Sequence, residues 1–204
     1  LADITQVLSF NSTHLSAYNL TIEPNTEFAK FIPANLPNDD LCYAMQDQII
    51  HQLSTHGFQR YETSAYAQKA HQAQHNLNYW QFGDYLGIGA GAHSKLSFHD
   101  KIIRQSRHKH PQEYMKRILN QQQILENTVI QKSDLSLEFM MNALRLTNGF
   151  SNQLFSETTS LPFSQILPQL LSAQQQGFLE LTPTKIIPTE QGRDFLNNLL
   201  EIFM

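Results

Sequence analysis

The chain has 204 residues, a formal net charge of −4, a single cysteine (Cys42) and no apolar run approaching eighteen residues. The mild negative charge argues against a general nucleic-acid binder, which needs a basic face to release phosphate counterions. A lone cysteine excludes an internal disulfide framework and fits a reducing cytoplasm, and no membrane-spanning segment is expected.

The N-terminus has neither the basic start nor the apolar core of a signal peptide. It opens inside a helical pattern, with Ile4, Val7 and Leu8 on one stripe, so a piece of a longer protein is expected. In "HLSAYNLTI", Tyr18, Leu20 and Ile22 alternate with Ala17, Asn19 and Thr21, which is strand periodicity. The Pro- and Asn-rich "EPNTEFAKFIPANLPNDD" reads as a long loop. A helix is predicted over 39–56, capped by Asn38, with Asp39 and Asp40 at its positive end. Leu41, Met45, Ile49 and Leu53 form its expected buried stripe, and Gly57 ends it. "FQRYETSAYA" reads as a strand with its exit loop. A further strand is expected over 85–89, and "SKLSFHDKIIRQSR" as a hairpin turning at His99-Asp100-Lys101. This alternation predicts parallel-sheet or barrel units.

From about Pro111 the pattern is mostly helical. Helices are predicted over 111–123, from about Ser133 with Leu137, Met141 and Leu144 buried, and over 164–176 with Leu167, Leu170 and Leu171. Pro168 lies in the first turn of the last of these, and Gly177 follows it. Two short strands and a final helix carrying Phe195, Leu196, Leu199 and Leu200 complete a winged-helix-like order. DNA binding does not follow. From Ser133 to Met204 the basic residues are Arg145, Lys185 and Arg193, against seven acidic ones, and "SQILPQLLSAQQQ" has no cation to neutralise a phosphate.

The densest chemistry lies in "QHNLNYWQFGDYLGIGAGAHS", residues 74–94. Gly87-Ile88-Gly89-Ala90-Gly91-Ala92 formally satisfies a dinucleotide fingerprint, but it leads toward a second strand and does not open the helix that fingerprint requires. Two readings remain: close packing of strand backbone, or close approach by a cofactor. The His75 imidazole can ligate iron beside a stacking aromatic, or the His75-Asn76 pair can simply cap a helix or hydrogen-bond to a loop. His71 and His75 share zinc-ligand spacing but lack the glutamate and a third ligand. Glu23, Glu62, Ser64, His93 and Ser94 sit at predicted strand exits, where barrel chemistry collects.

"HLSAYNLTIEPNTEF", "GFQRYETSAYA", the 74–94 stretch and "EFMMNALRL" resemble the radical SAM heme chaperone family, long described as oxygen-independent coproporphyrinogen III oxidase-like. The resemblance runs through essentially the whole chain. Its most specific piece is "HNxxYW", here His75, Asn76, Tyr79 and Trp80, which in that family separates heme chaperones from true coproporphyrinogen oxidases. It implies an α/β fold: the last strands and helices of a partial radical SAM barrel over 1–110, then a mostly helical winged-helix-like domain over 111–204. The family's "CxxxCxxC" motif is missing, and Cys42 cannot replace three cluster thiolates. S-adenosylmethionine and a [4Fe–4S] cluster are therefore expected only in the longer protein, and this chain alone should not cleave S-adenosylmethionine.

The resemblance implies heme as the cargo, with His75 as axial-ligand candidate and Asn76, Tyr79 and Trp80 around the macrocycle. Gly87, Gly89 and Gly91 would let backbone approach S-adenosylmethionine or porphyrin. Thr21 and His93 would belong to the S-adenosylmethionine surface, and Glu23 and Glu62 would orient polar groups. Heme-acceptor proteins, membrane-associated ones among them, are the implied partners. Self-association through strand edges is a further expectation. The alternatives are an oxygen-independent coproporphyrinogen III oxidase, which decarboxylates two propionates through a radical, and a purely structural docking module.

Overall fold

The computed structural model describes residues 1–122 and 124–204. It is a mixed α/β structure of two compact units, Leu1–Ala73 and Gln74–Met204.

The first unit contains α1 (Ala2–Ser9), β1 (His14–Ser16), α2 (Glu27–Lys30), α3 (Asp39–Thr55), β2 (Gln59–Arg60) and β3 (Ala65–Ala67). The cap of α3 forms as expected: Asn38 accepts a hydrogen bond from the Leu41 amide, with Asp39 and Asp40 in the first turn. Gly57, at φ +81°, turns the chain out of the helix. The predicted stripe is buried only at its end. Leu53 is fully buried and packs with Ile4, Phe58 and Tyr66, whereas Leu41 and Met45 are exposed. The expected strand over 14–22 shrinks to His14–Ser16, because its partner β3 is only three residues long. Beyond Ala17, whose amide donates to the Ser64 carbonyl (2.9 Å), the strand pairing does not continue among the described residues, and Tyr18 and Leu20 are exposed. "FQRYETSAYA" is a hairpin and not one strand: β2 pairs with β3, and the Arg60 guanidinium holds the turn by donating to the Thr63 carbonyl at 2.7 and 3.1 Å.

The second unit begins with α4 (Gln74–Trp80), which the sequence reading did not anticipate. β4 (His93–Ser97) and β5 (Ile102–Arg107) form the expected hairpin, closed where the Phe98 amide meets the Lys101 carbonyl. α5 (Pro111–Leu119) is shorter than predicted, and the last position of that expected helix, Gln123, lies outside the described residues. β6 (Ile124–Val129) then pairs with β5. Next come α6 (Leu135–Ala143), β7 (Phe150–Ser151), α7 (Asn152–Thr159), a 3₁₀ turn (Phe163–Gln165) and α8 (Leu167–Gln175). The chain ends with β8 (Leu179–Leu181), β9 (Lys185–Pro188), α9 (Glu190–Asp194) and α10 (Leu196–Glu201).

All strand pairings in the three sheets, ordered β1-β3-β2, β4-β5-β6 and β7-β9-β8, are antiparallel. This corrects the expectation of parallel units. Hairpin connections such as 98–101 are too short for the helical crossover that parallel neighbours require. The predicted strand over 85–89 is also corrected: only Tyr85 makes a bridge, to Lys95. The β5–β6 pairing spans the expected domain boundary at residue 110, whereas the compact units divide after Ala73.

Phe139 on α6 is the hub of the second core. It is fully buried, with the rings of Phe82, Phe150 and Phe155 at 5.7, 5.0 and 5.2 Å, each edge-to-face. Leu135, Met140, Ala143 and Leu144 complete the buried face, while Met141, expected inside, points outward. In α8 only Leu170 of the three predicted leucines is fully buried. The final helix breaks at Phe195, which is exposed, and Leu199 enters the core.

A buried cation ties α4 to the sheet. Lys95 on β4 is 2% exposed, and its Nζ donates to the Phe82 carbonyl (2.9 Å), Asp84 Oδ1 (3.2 Å) and Ser97 Oγ (3.2 Å). The same ammonium lies 4.1 Å from the Phe82 ring centroid. Burial lowers the Lys95 pKa. Burial also pushes the Asp84 carboxyl upward, but bonds from the Ser97 amide and hydroxyl and from Lys95 outweigh it, so its pKa falls below the ordinary value.

Phe139→Ala should cost about 3–5 kcal/mol in urea unfolding, through lost transfer energy and the cavity left among the three remaining rings. Asp84 has a lowered folded pKa, so its stabilisation is complete above about pH 4 and fades as pH falls through the folded value. Asp84→Asn should therefore lose about 1 kcal/mol at pH 7, a modest figure because the carboxylate is partly exposed. The gap between variant and parent urea midpoints should narrow toward pH 3.

Candidate functional site

In the second unit, α4 places His75 and Tyr79 one turn apart on one face. Their rings meet edge-on at 4.8 Å, and Tyr79 lies 4.3 Å from Tyr85. His75 is exposed, and its imidazole has no hydrogen bond among the described residues. Asn76 is half-buried. Trp80 lies 6.5 Å from Tyr79 but its indole is occupied by the Arg145 guanidinium, 4.5 Å over the ring. Its Nε1 is buried with no partner among the described residues. The structure thus brings His75 and Tyr79 together and adds Tyr85, which sequence reasoning missed, while Trp80 packs separately with Arg145.

Tyr85 is held from beneath. Burial raises its pKa, only partly offset by Arg104, which reaches its hydroxyl at 3.4 Å and also pairs with Glu138. Nothing in the sequence marked this pair, because the partners lie on β5 and α6, far apart in the chain.

The glycine tract is an irregular segment lying against β4 and β5. A Cβ on Gly87 would fall 2.1 Å from the His93 carbonyl oxygen, so close packing alone demands glycine there. The Gly87 amide donates to Ser94 Oγ (2.9 Å), and its carbonyl accepts from Arg107 Nε (3.4 Å). Gly89 differs: its φ is +110°, open space lies where a Cβ would be, and its amide donates to the Tyr114 hydroxyl at 3.1 Å. Gly91 donates to the His108 carbonyl, and His93 is exposed at the start of β4.

In the first unit Thr21 and Glu23 are exposed on irregular chain, and the Glu23 carbonyl accepts from Thr26 Oγ1 (2.7 Å). Glu62 lies in the β2–β3 turn, 2% exposed, with Oε2 lacking a partner among the described residues. A groove of about 160 Å³ in this unit is lined by Tyr18, Asn19, Gln46, Ser64 and Tyr66 among others. Thr21, Glu23 and Glu62 do not line it, so within the unit these three candidates do not converge. Among the described residues no group of three or more His, Cys, Asp or Glu side chains could hold a metal ion. No helix among them is long and apolar enough to cross a membrane.

Residues 130–195 match the HemN C-terminal domain. The chain is 44% identical over 206 residues to a protein of Escherichia coli named heme chaperone HemW, covering 100% of this chain and 53% of that one. It is 42% identical to the Haemophilus influenzae protein of the same name, covering 100% and 52%. It shares its fold, at a TM-score of 0.72 and 17% identity, with a solved structure described as "Coproporphyrinogen III oxidase (HemN) from Escherichia coli is a Radical SAM enzyme". That match covers 98% of this chain and 50% of the other. The chain spans about half the length of the curated relatives it matches, and over its whole length it is a homologue of proteins named heme chaperone HemW.

Proposed function

We propose that this chain is the porphyrin-contacting half of a cytoplasmic radical SAM protein that binds heme and passes it to acceptor proteins. The observation that carries the reading is the exposed imidazole of His75, without a hydrogen bond among the described residues and steadied edge-on by Tyr79, within a sequence alignable end to end with heme chaperones. A free ring nitrogen can bond to iron, and the Tyr79–Tyr85 pair offers aromatic surface beside it. Trp80 shapes the base of α4 from its stack with Arg145. Gly89 gives a ligand backbone access on its open side.

The residues here do not fit a [4Fe–4S] cluster, since Cys42 is the single thiol. In this reading the cluster belongs to the other half of the longer protein; the first unit offers Thr21, Glu23 and Glu62, and the second unit His93, as candidate S-adenosylmethionine contacts. Glu62, buried with one oxygen unmatched, is the best placed of these to take a hydrogen-bond donor from a ligand. Residues 1–110 then form the late barrel and 111–204 a winged-helix-like tail, with helices α6, α7 and α8 beside the β7-β9-β8 sheet and β6 returning to pair with β5.

The shared fold with coproporphyrinogen III oxidase supports a second reading, radical decarboxylation of porphyrinogen propionates. Turnover of coproporphyrinogen by the intact protein would select it.

A heme titration followed at the Soret band, with the parent beside His75→Ala, tests the first reading. Saturable binding is expected, with a shift in band position that the variant loses and an affinity at least about tenfold weaker in the variant. Equal affinity and identical spectra would remove His75 as the ligand.

A further inference from the structure

We infer that a groove beside Arg107 seats an ionised carboxylate of the porphyrin, so that the macrocycle is held by a propionate at one edge as well as by its iron. The inference rests on the porphyrin-binding reading above and extends it to a site outside the HNxxYW residues.

Arg107, at the end of β5, is 8% exposed yet forms no ion pair among the described residues. Its guanidinium makes two long bonds to neutral acceptors, the Gly87 carbonyl at 3.4 Å and Gln105 Oε1 at 3.5 Å. Glu126, on the facing strand, is engaged by Ser106 Oγ at 3.3 Å. A guanidinium carries five donors, and burying one without a counter-charge is costly. This cation therefore has donors to spare for a planar anion, and a carboxylate matches its fork.

The groove it lines measures about 300 Å³ and lies between the glycine tract and α5. Beside Gln121, its other walls include the apolar and open Leu86, Ile88 and Ile118, exposed by 62%, 83% and 42%. Tyr114 also lines it, through a side chain that ends in a hydroxyl. That oxygen accepts from the Gly89 amide, and its own proton is left to donate to an anion. One buried cation and one hydroxyl donor inside an apolar rim suit a molecule that is hydrophobic over its face and carboxylated at its edge. Heme is a molecule of this kind, apolar over its macrocycle and carboxylated at its propionate edge.

The test compares each porphyrin with its dimethyl ester, which keeps the macrocycle and removes both charges. Hemin and hemin dimethyl ester are titrated into the full chain, and metal-free protoporphyrin IX and its diester are followed by fluorescence. The parent should bind each acid at least about tenfold tighter than its ester. Arg107→Gln should bring the acids down to the esters without moving the Soret band, and Arg107→Lys should restore part of the preference. The metal-free pair separates this site from iron ligation: His75→Ala should keep the acid preference for protoporphyrin IX. If it does so while heme spectra do not respond to His75, the ligand assignment fails and the groove stands. Equal binding of acid and ester by the parent overturns the groove even if Arg107→Gln proves unstable. An Arg107→Gln protein that retains the preference overturns it too. No porphyrin binding by the parent overturns both.

Discussion

One buried ammonium holds the second unit in register. Lys95 is placed by its strand between the Phe82 carbonyl and ring, the Asp84 carboxylate and the Ser97 hydroxyl. Phe82 ends the aromatic helix and also packs on Phe139 in the core. A single charge thus refers three things to each other: the helix carrying His75 and Tyr79, the segment leading into the glycines, and the sheet against which those glycines lie. Because a buried charge tolerates little displacement from its partners, the aromatic face inherits a rigid frame even though His75 itself is at the surface.

The sequence showed those parts whose signals are local. The Asn38 cap, the glycine stops at Gly57 and Gly177 and the 98–101 hairpin turn all formed where residue chemistry placed them. What failed depended on partners distant in the chain. The alternation over 14–22 is real, but β3 is too short to receive it. β6 went unseen because all its side chains are exposed, so a strand paired on one edge shows no in–out pattern. The 3.6-residue period located α3 yet could not say which end of its stripe would find a core, and Leu41 and Met45 did not.

The candidate site divides in the same way. His75 and Tyr79 were grouped through the family motif, but their common side was not readable, because the helix that puts residues four apart on one face was not anticipated. Trp80 was grouped with them but turns to Arg145 on the segment after α6, a contact that no local pattern announces. Of the glycines, Gly87 is required by the β4 backbone and Gly89 by its own conformation. The packing reading therefore holds at Gly87, while the glycine at 89 answers a backbone conformation. Arg107 was invisible for the opposite reason: its interest lies in the counter-charge missing among the described residues.

The end of α4 carries one further consequence. The Gly83 amide bonds to the Asn78 carbonyl and the Phe82 amide to that of Tyr79, a Schellman closure whose left-handed position is ordinarily glycine. Here it is Phe82, at φ +59°. No ordinary replacement meets both demands of the position. Glycine would relax the backbone and empty the core beside Phe139. Asparagine would accept the dihedral and bury an amide among aromatic rings. Valine or isoleucine would return some volume and fight the left-handed turn. A residue outside every recognised motif is thereby among the least replaceable in the unit, constrained by the coincidence of a turn and a core at one Cα.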